Sequence, residues 1–96
     1  MRNPDSVSKV LDIMSTKQRW HIVRCLLMGH NKFNQIKRDC NMSSTALSRT
    51  LKYLEYRGLV VRRAEGRENS TEYELTKVGS EFSKVLNEMA KVGKRV

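Results

Sequence analysis

Apolar residues recur at three- and four-residue spacing in several separate stretches of this chain, interrupted past its middle by one short segment of a different period. From Asp5 to Met14, Val7, Val10, Leu11 and Met14 follow the helical spacing and predict a short amphipathic helix within residues 1–14. A second helix is predicted from about Thr16 to Met28, opened by an S-x-x-Q capping box of Ser15 and Gln18 in which each side chain satisfies a free amide. Trp20, Val23 and Leu27 share one stripe with Ile22 and Leu26 beside it, a face wide enough for the centre of a core. Gly29 supplies the left-handed conformation that ends this helix. After the turn "GHNK", Phe33 staples the chain and Asn34 caps a helix of barely two turns, Gln35 to Cys40, with Ile36 and Cys40 inward. A helix that short depends on tertiary contacts.

"NMSS" breaks it, and Ser43 or Ser44 caps a longer helix that continues to Arg57. Leu47, Leu51 and Leu54 repeat at i, i+4 and i+7, so these leucines define its buried face. Gly58 ends it and the period changes. "LVVRR" reads as a strand, "AEGRENS" as a hairpin tip built on Gly66, and "TEYEL" as the returning strand with Tyr73 and Leu75 on one face. Thr76 then caps a last helix in which Val78, Phe82, Val85, Leu86 and Met89 keep helical spacing before it frays in "KVGKRV".

The order is helix, helix, short helix, longer helix, hairpin, helix, which predicts a mainly α chain with a small β-hairpin. Two helices joined by a short turn and followed directly by a hairpin form a winged helix-turn-helix. At 96 residues, the chain is expected to be a single domain over 1–96, with an N-terminal helix at 1–14, the helix-turn-helix at 34–57, the wing at 59–75 and the C-terminal helix at 76–92.

Charge gives this architecture a direction. The formal charge is +9, from 19 Lys and Arg against 10 Asp and Glu, which favours an anionic partner. Residues 31–67 carry nine basic and three acidic side chains, whereas residues 68–96 carry five of each, so the excess centres on the helix-turn-helix and wing. The longest apolar run, "CLLM" at Cys25 to Met28, is far short of the roughly 20 residues that span a bilayer, so no membrane partner is expected.

With the leucines inward, the opposite side of the fourth helix holds Thr45, Ala46, Arg49, Lys52, Tyr53 and Tyr56, with Ser44 and Ser48 on the flank and no acid. Small hydroxyl residues in the first turn permit close approach to a groove. Arg49 has the planar fork that binds a guanine edge bidentately, while Lys52 suits a phosphate. In the wing, Arg62, Arg63 and Arg67 flank a tip with Gly66 and Asn69, and a narrow minor groove attracts arginine. Lys32, Lys37 and Arg38 are placed to add backbone contacts. The competing reading is that these cations only solvate the surface, with Tyr53 and Tyr56 packing against the wing or the first helix as readily as meeting DNA.

Other chemistry is not indicated. His21 and His30 have no ligand partner at helical spacing, so no metal is expected. Cys25 and Cys40 stand 15 residues apart and read as reduced thiols, Cys25 in the core and Cys40 at the turn, where oxidant sensing is an open question. No Gly-rich phosphate loop, G-x-S-x-G or carboxylate cluster is present, so no catalytic residue and no cofactor is assigned.

The stretch "RWHIVRCLLMGHNKFNQIKRDCNMSSTALSRTLKYLEYRGLVVRR", followed by "TEYELTKVGSEF", resembles winged-helix transcription regulators of the HxlR type, and more loosely the MarR and ArsR types. The parallels are Trp20 opening the second helix, "KFNQI" after Gly29, "L-x-x-L-x-x-x-G-L-V" through Leu51, Leu54, Gly58, Leu59 and Val60, and "Y-x-L-T-x-x-G" through Tyr73, Leu75, Thr76 and Gly79. The resemblance covers about Ser15 to Leu86. It implies binding of double-stranded DNA as a homodimer on a two-fold operator, with the terminal helices supplying the dimer interface. Carried over, the recognition positions are Ser44, Thr45, Ser48, Arg49 and Lys52 and the wing positions Arg63 and Arg67. The cysteine that many HxlR-type proteins carry ahead of the first helix is missing, as is the ArsR-type cysteine motif, so no small-molecule effector or signal is visible.

The functional expectation is a dimeric, sequence-specific transcription regulator of the cytoplasm, associated with the nucleoid. Val85, Leu86 and Met89, alongside Val7 and Leu11, are expected to pair with the second copy, because the apolar stripe is longer than a domain of this size needs. The alternatives are a non-specific nucleic-acid-coating protein and a winged helix that docks an acidic protein partner within a larger assembly.

Overall fold

The computed structural model describes residues 3–63 and 71–96. Five helices and a two-stranded hairpin follow in the order α1 (Asn3–Met14), α2 (Lys17–Leu27), α3 (Phe33–Cys40), α4 (Ser44–Tyr56), β1 (Val60–Arg63), β2 (Glu72–Leu75) and α5 (Lys77–Gly93). This is the winged helix-turn-helix order that the periodicity predicts.

Ile22, Val23 and Leu26 from α2, Phe33 and Ile36 from α3, Leu47, Leu51 and Leu54 from α4, and Leu59, Val60, Tyr73 and Phe82 from the wing and α5 form one core, joined by Ile13 and Met42. Each fully buried leucine contributes about 1.5–3 kcal/mol from the area it removes from water. The face of α2 is rotated from the expected stripe. Ile22, Val23 and Leu26 centre it, so Leu27 falls on the far edge and is 48% exposed, while Trp20 is half-buried and stacks on His21.

Two of the expected caps are replaced, each for a local reason. Ser15 does not open α2; its hydroxyl donates to the Asp12 carbonyl at 2.8 Å and so closes α1. Thr16 is the N-cap of α2 and makes no side-chain cap bond. Likewise Asn34 does not cap α3, which begins one residue earlier, at Phe33, after Lys32. The Phe33 amide donates instead to the Thr71 carbonyl at 3.2 Å, so the wing satisfies a donor that a side-chain cap would otherwise serve. The Tyr73 amide donates to the Asn31 carbonyl at 2.9 Å and Lys32 bridges Glu72, so the stretch expected as a plain turn borders β2.

The caps of α4 and α5 are as expected. Ser43 Oγ accepts from the Ala46 amide at 3.1 Å, and Thr76 Oγ1 accepts from the Gly79 amide at 3.0 Å. Gly58, at φ +81°, turns the chain from α4 into β1. The strands pair antiparallel with Val60 opposite Leu75 and Arg63 opposite Glu72. Helix α5 extends to Gly93, beyond the expected end at residue 92. Among the described residues no helix is long and apolar enough to cross a membrane.

Candidate nucleic-acid interface

The surface of interest starts at the turn between α3 and α4. Asn41, at φ +53°, closes α3, and its neighbour Met42 is drawn into the core, which fixes the direction in which Ser43 launches α4. With Leu47, Leu51 and Leu54 each 1% exposed or less, α4 has no rotational freedom about its own axis. Its outward face is thereby set.

That face brings together Ser44, Thr45, Ser48, Arg49 and Lys52, which line one shallow surface hollow of about 430 Å³. The grouping follows from helical geometry, since these positions recur at three and four residues. Less predictable is their freedom. Arg49 and Lys52 are exposed and form no ion pair among the described residues. No acidic residue lies in the first turn of α4, whose N-terminal amides point outward with the positive end of the helix dipole.

The wing behaves differently. Arg63 donates from Nη2 to Glu74 Oε1 at 2.6 Å and from Nε to the same oxygen at 3.2 Å, so half of its fork is already engaged. Lys32 lies 3.6 Å from Glu72 on the same hairpin. Arg62 is exposed and lies opposite Tyr73 in register. Arg67, Gly66 and Asn69 lie outside the described residues.

Tyr53 and Tyr56 separate into two roles. Tyr56 is 83% exposed. Tyr53 is half-buried under the Arg19 guanidinium, 3.7 Å above its ring, with that of Arg57 5.7 Å away. Arg19 also donates to the Asp12 carbonyl at 2.6 Å, and Arg57 Nη2 stands 3.7 Å from Asp12 Oδ2. Together these contacts tie the α1–α2 junction to the side of α4. Sequence spacing offers no sign of the cluster, because its members are spread from residue 12 to residue 57 and meet only through the fold.

A second surface lies on the terminal helices. Val7 and Leu11 on α1 are 55% and 58% exposed, and Val85, Met89 and Val92 on α5 are 43%, 51% and 55% exposed. Leu86 is half-buried against the core. Leu86 and Met89 border a hollow of about 370 Å³ whose other walls include Met14, Trp20 and Arg24.

A family model described as HxlR-like helix-turn-helix matches residues 13–96. No curated protein sequence is matched. Among solved structures, PA1607, named as a transcription-factor candidate, superposes with a TM-score of 0.82 at 22% identity, over 93% of this chain and 63% of its own. This chain therefore spans under two thirds of that protein. A candidate transcriptional regulator of the MarR family from Enterococcus faecalis V583 gives a TM-score of 0.86 at 21% identity, covering 99% of this chain and 88% of that one. The homodimeric winged helix-turn-helix DNA-binding domain of Mb0332 from Mycobacterium bovis gives 0.76 at 24% identity, covering 96% and 85%. At these identities the similarity establishes the winged helix-turn-helix fold.

Proposed function

Because this chain belongs to the HxlR-like helix-turn-helix family, we propose that it is a transcription regulator that binds double-stranded DNA as a homodimer, with α4 in the major groove. The observation that carries this reading is the outward face of α4, where Arg49 and Lys52 stand exposed beside Ser44, Thr45 and Ser48, with no acid on that face and no ion pair among the described residues. Arg49 reads a base edge, Lys52 and the hydroxyls hold phosphates, and the wing, through Arg63 and Arg67, reaches the flanking backbone or minor groove. Residues 1–96 act as one unit in this reading, without a cofactor or a catalytic step, in the cytoplasm on the nucleoid.

The exposed stripes of α1 and α5 supply the two-fold contact. Val7, Leu11, Val85 and Met89, with Leu86 beneath, seat against the same residues of a second copy, and the hollow beside Trp20 receives part of that partner. Two α4 helices are thereby set at the spacing of an operator's half-sites.

Selection from a random duplex library at fixed salt tests the whole proposal. An enriched palindrome is expected, and its half-site spacing reports the dimer. Arg49→Ala is expected to cost about 1–3 kcal/mol on the selected site and to relax preference at one position, while Lys52→Ala weakens every sequence alike. With about six phosphates neutralised per subunit, log K falls against log salt with a slope near −5 for each subunit engaged, about −11 for the dimer. Tight binding without enrichment points instead to a coating protein. Absence of binding points to a module that docks an acidic protein.

A further inference from the structure

The chain has two cysteines, fifteen residues apart, and the fold brings their sulfurs to 3.4 Å. Both are free and half-buried, so the pair is packed yet within reach of a small solute. Cys25 sits in the last turn of α2 and Cys40 is the final residue of α3. Neither has a structural need for the other, because α2 and α3 are already joined through Ile22, Val23, Leu26, Phe33 and Ile36 in the core.

We infer that Cys25 and Cys40 form a modification site, a dithiol that a peroxide converts to an intrachain disulfide linking α2 to the first helix of the helix-turn-helix. One sulfur attacks a peroxide oxygen, the O–O bond breaks and water leaves, giving a sulfenic acid. The second thiol then attacks that sulfur, the S–O bond breaks, and its proton leaves with the hydroxide as a second water. Two S–H bonds are lost, one S–S bond forms, and the peroxide takes up both electrons.

The environment holds Cys40 as a thiol. Burial, the hydrogen bond with Cys25 and the nearby charges of Cys25 and Asp39 push the Cys40 thiol up to about 12, so it stays protonated at neutral pH.

A disulfide of about 2.04 Å requires the 3.4 Å pair to close by about 1.4 Å. The end of α3 is where that motion is taken up. Cys40 is followed by Asn41 in the left-handed conformation, by Met42, whose amide donates to Lys37 at 3.1 Å, and by Ser43, the N-cap of α4. A shift of Cys40 toward α2 therefore moves the support of the α4 N-terminus, where hydrogen bonds to a groove tolerate little displacement. This consequence for DNA rests on the regulator reading above, whereas the disulfide itself does not.

The test treats the purified, reduced full chain with hydrogen peroxide, blocks remaining thiols with N-ethylmaleimide, and follows intact mass, a peptide map and binding to the selected duplex. The expected result is a loss of two hydrogen masses with no maleimide added, a map joining the Cys25 and Cys40 peptides, and about tenfold weaker binding that dithiothreitol restores. Cys25→Ser and Cys40→Ser are each expected to form no intrachain disulfide and to keep their affinity after peroxide. Disulfide-linked dimers, or two maleimides per chain after peroxide, would overturn the site. A complete intrachain disulfide with unchanged affinity would overturn its control of DNA binding. If the reduced chain binds no duplex at all, the regulator reading fails while the mass result still decides the dithiol.

Discussion

Helices α4 and α5 are both amphipathic, both opened by a hydroxyl N-cap and both docked on the same core, yet they dispose of their apolar faces in opposite ways. Helix α4 buries all three of its leucines at 1% exposure or less. Helix α5 buries Gly79 and Phe82 near its start, then leaves Val85, Met89 and Val92 about half exposed as it runs past the end of the core. The difference shows where the chain is complete and where it is not. A face satisfied internally frees its opposite side for reading, whereas a face left open is a surface awaiting a second one.

The largest expected effect separates these two situations directly. Leu54→Ala should cost about 2–5 kcal/mol, since it opens a cavity between α4 and the core. Met89→Ala, a comparable truncation on α5, should cost the isolated chain under about 0.5 kcal/mol, in line with an exposed position. In the proposed dimer it should cost more. Urea titrations at two protein concentrations check this, because a loss that grows with concentration belongs to an interface. Equal, concentration-independent losses for the two variants would remove the contrast.

The leucine repeat of α4, the glycine that ends it and the Thr76 cap were legible in the sequence because each acts over a few residues. The acid-free face was legible for the same reason, since it is the complement of the leucine stripe. What sequence could not show were contacts between distant segments. Ser15 and Gln18 matched a capping box, but the Asp12 carbonyl claims the Ser15 hydroxyl. Asn34 suited a cap, but the Thr71 carbonyl already serves the Phe33 amide. Tyr53 had no decidable side until Arg19 of another helix covered it, and the two cysteines met only through the α2–α3 packing.

A second prediction marks where α5 stops being core. A Cβ at Gly79 would stand 2.1 Å from the Leu59 carbonyl oxygen and 3.1 Å from its carbon. That oxygen is fixed, because it accepts from the Thr76 amide at 2.9 Å beside the Thr76 hydroxyl's own bond to the Gly58 carbonyl. The "T-x-x-G" spacing thus has a physical cause: the threonine caps α5 and the glycine lets it press against the turn that opens the wing. Gly79→Ala should cost about 1–3 kcal/mol through overpacking, despite alanine's better helix propensity. A thermal melt that rises or stays level would show that α5 docks more loosely than this contact requires.

The smallest effect concerns the hairpin between the two helices, where charge is present but partly spent. Arg63 and Glu74 are each more than half exposed, so their ion pair should contribute about 0–1 kcal/mol to stability, and Arg63→Ala should scarcely move a melt. Its consequence lies in the proposed DNA binding. While Glu74 holds Arg63, the wing presents less positive charge than its sequence suggests, in contrast to Arg49 on α4, which has no acidic partner among the described residues. Glu74→Gln should therefore tighten binding to any duplex and steepen the salt dependence by about one unit of slope per subunit, as one further phosphate is neutralised by each. Anisotropy titrations over a range of salt concentrations read this directly. An unchanged slope would mean that Arg63 either already contacts phosphate while paired or never reaches the backbone, and the double variant with Arg63→Ala separates the two, since only the first loses affinity.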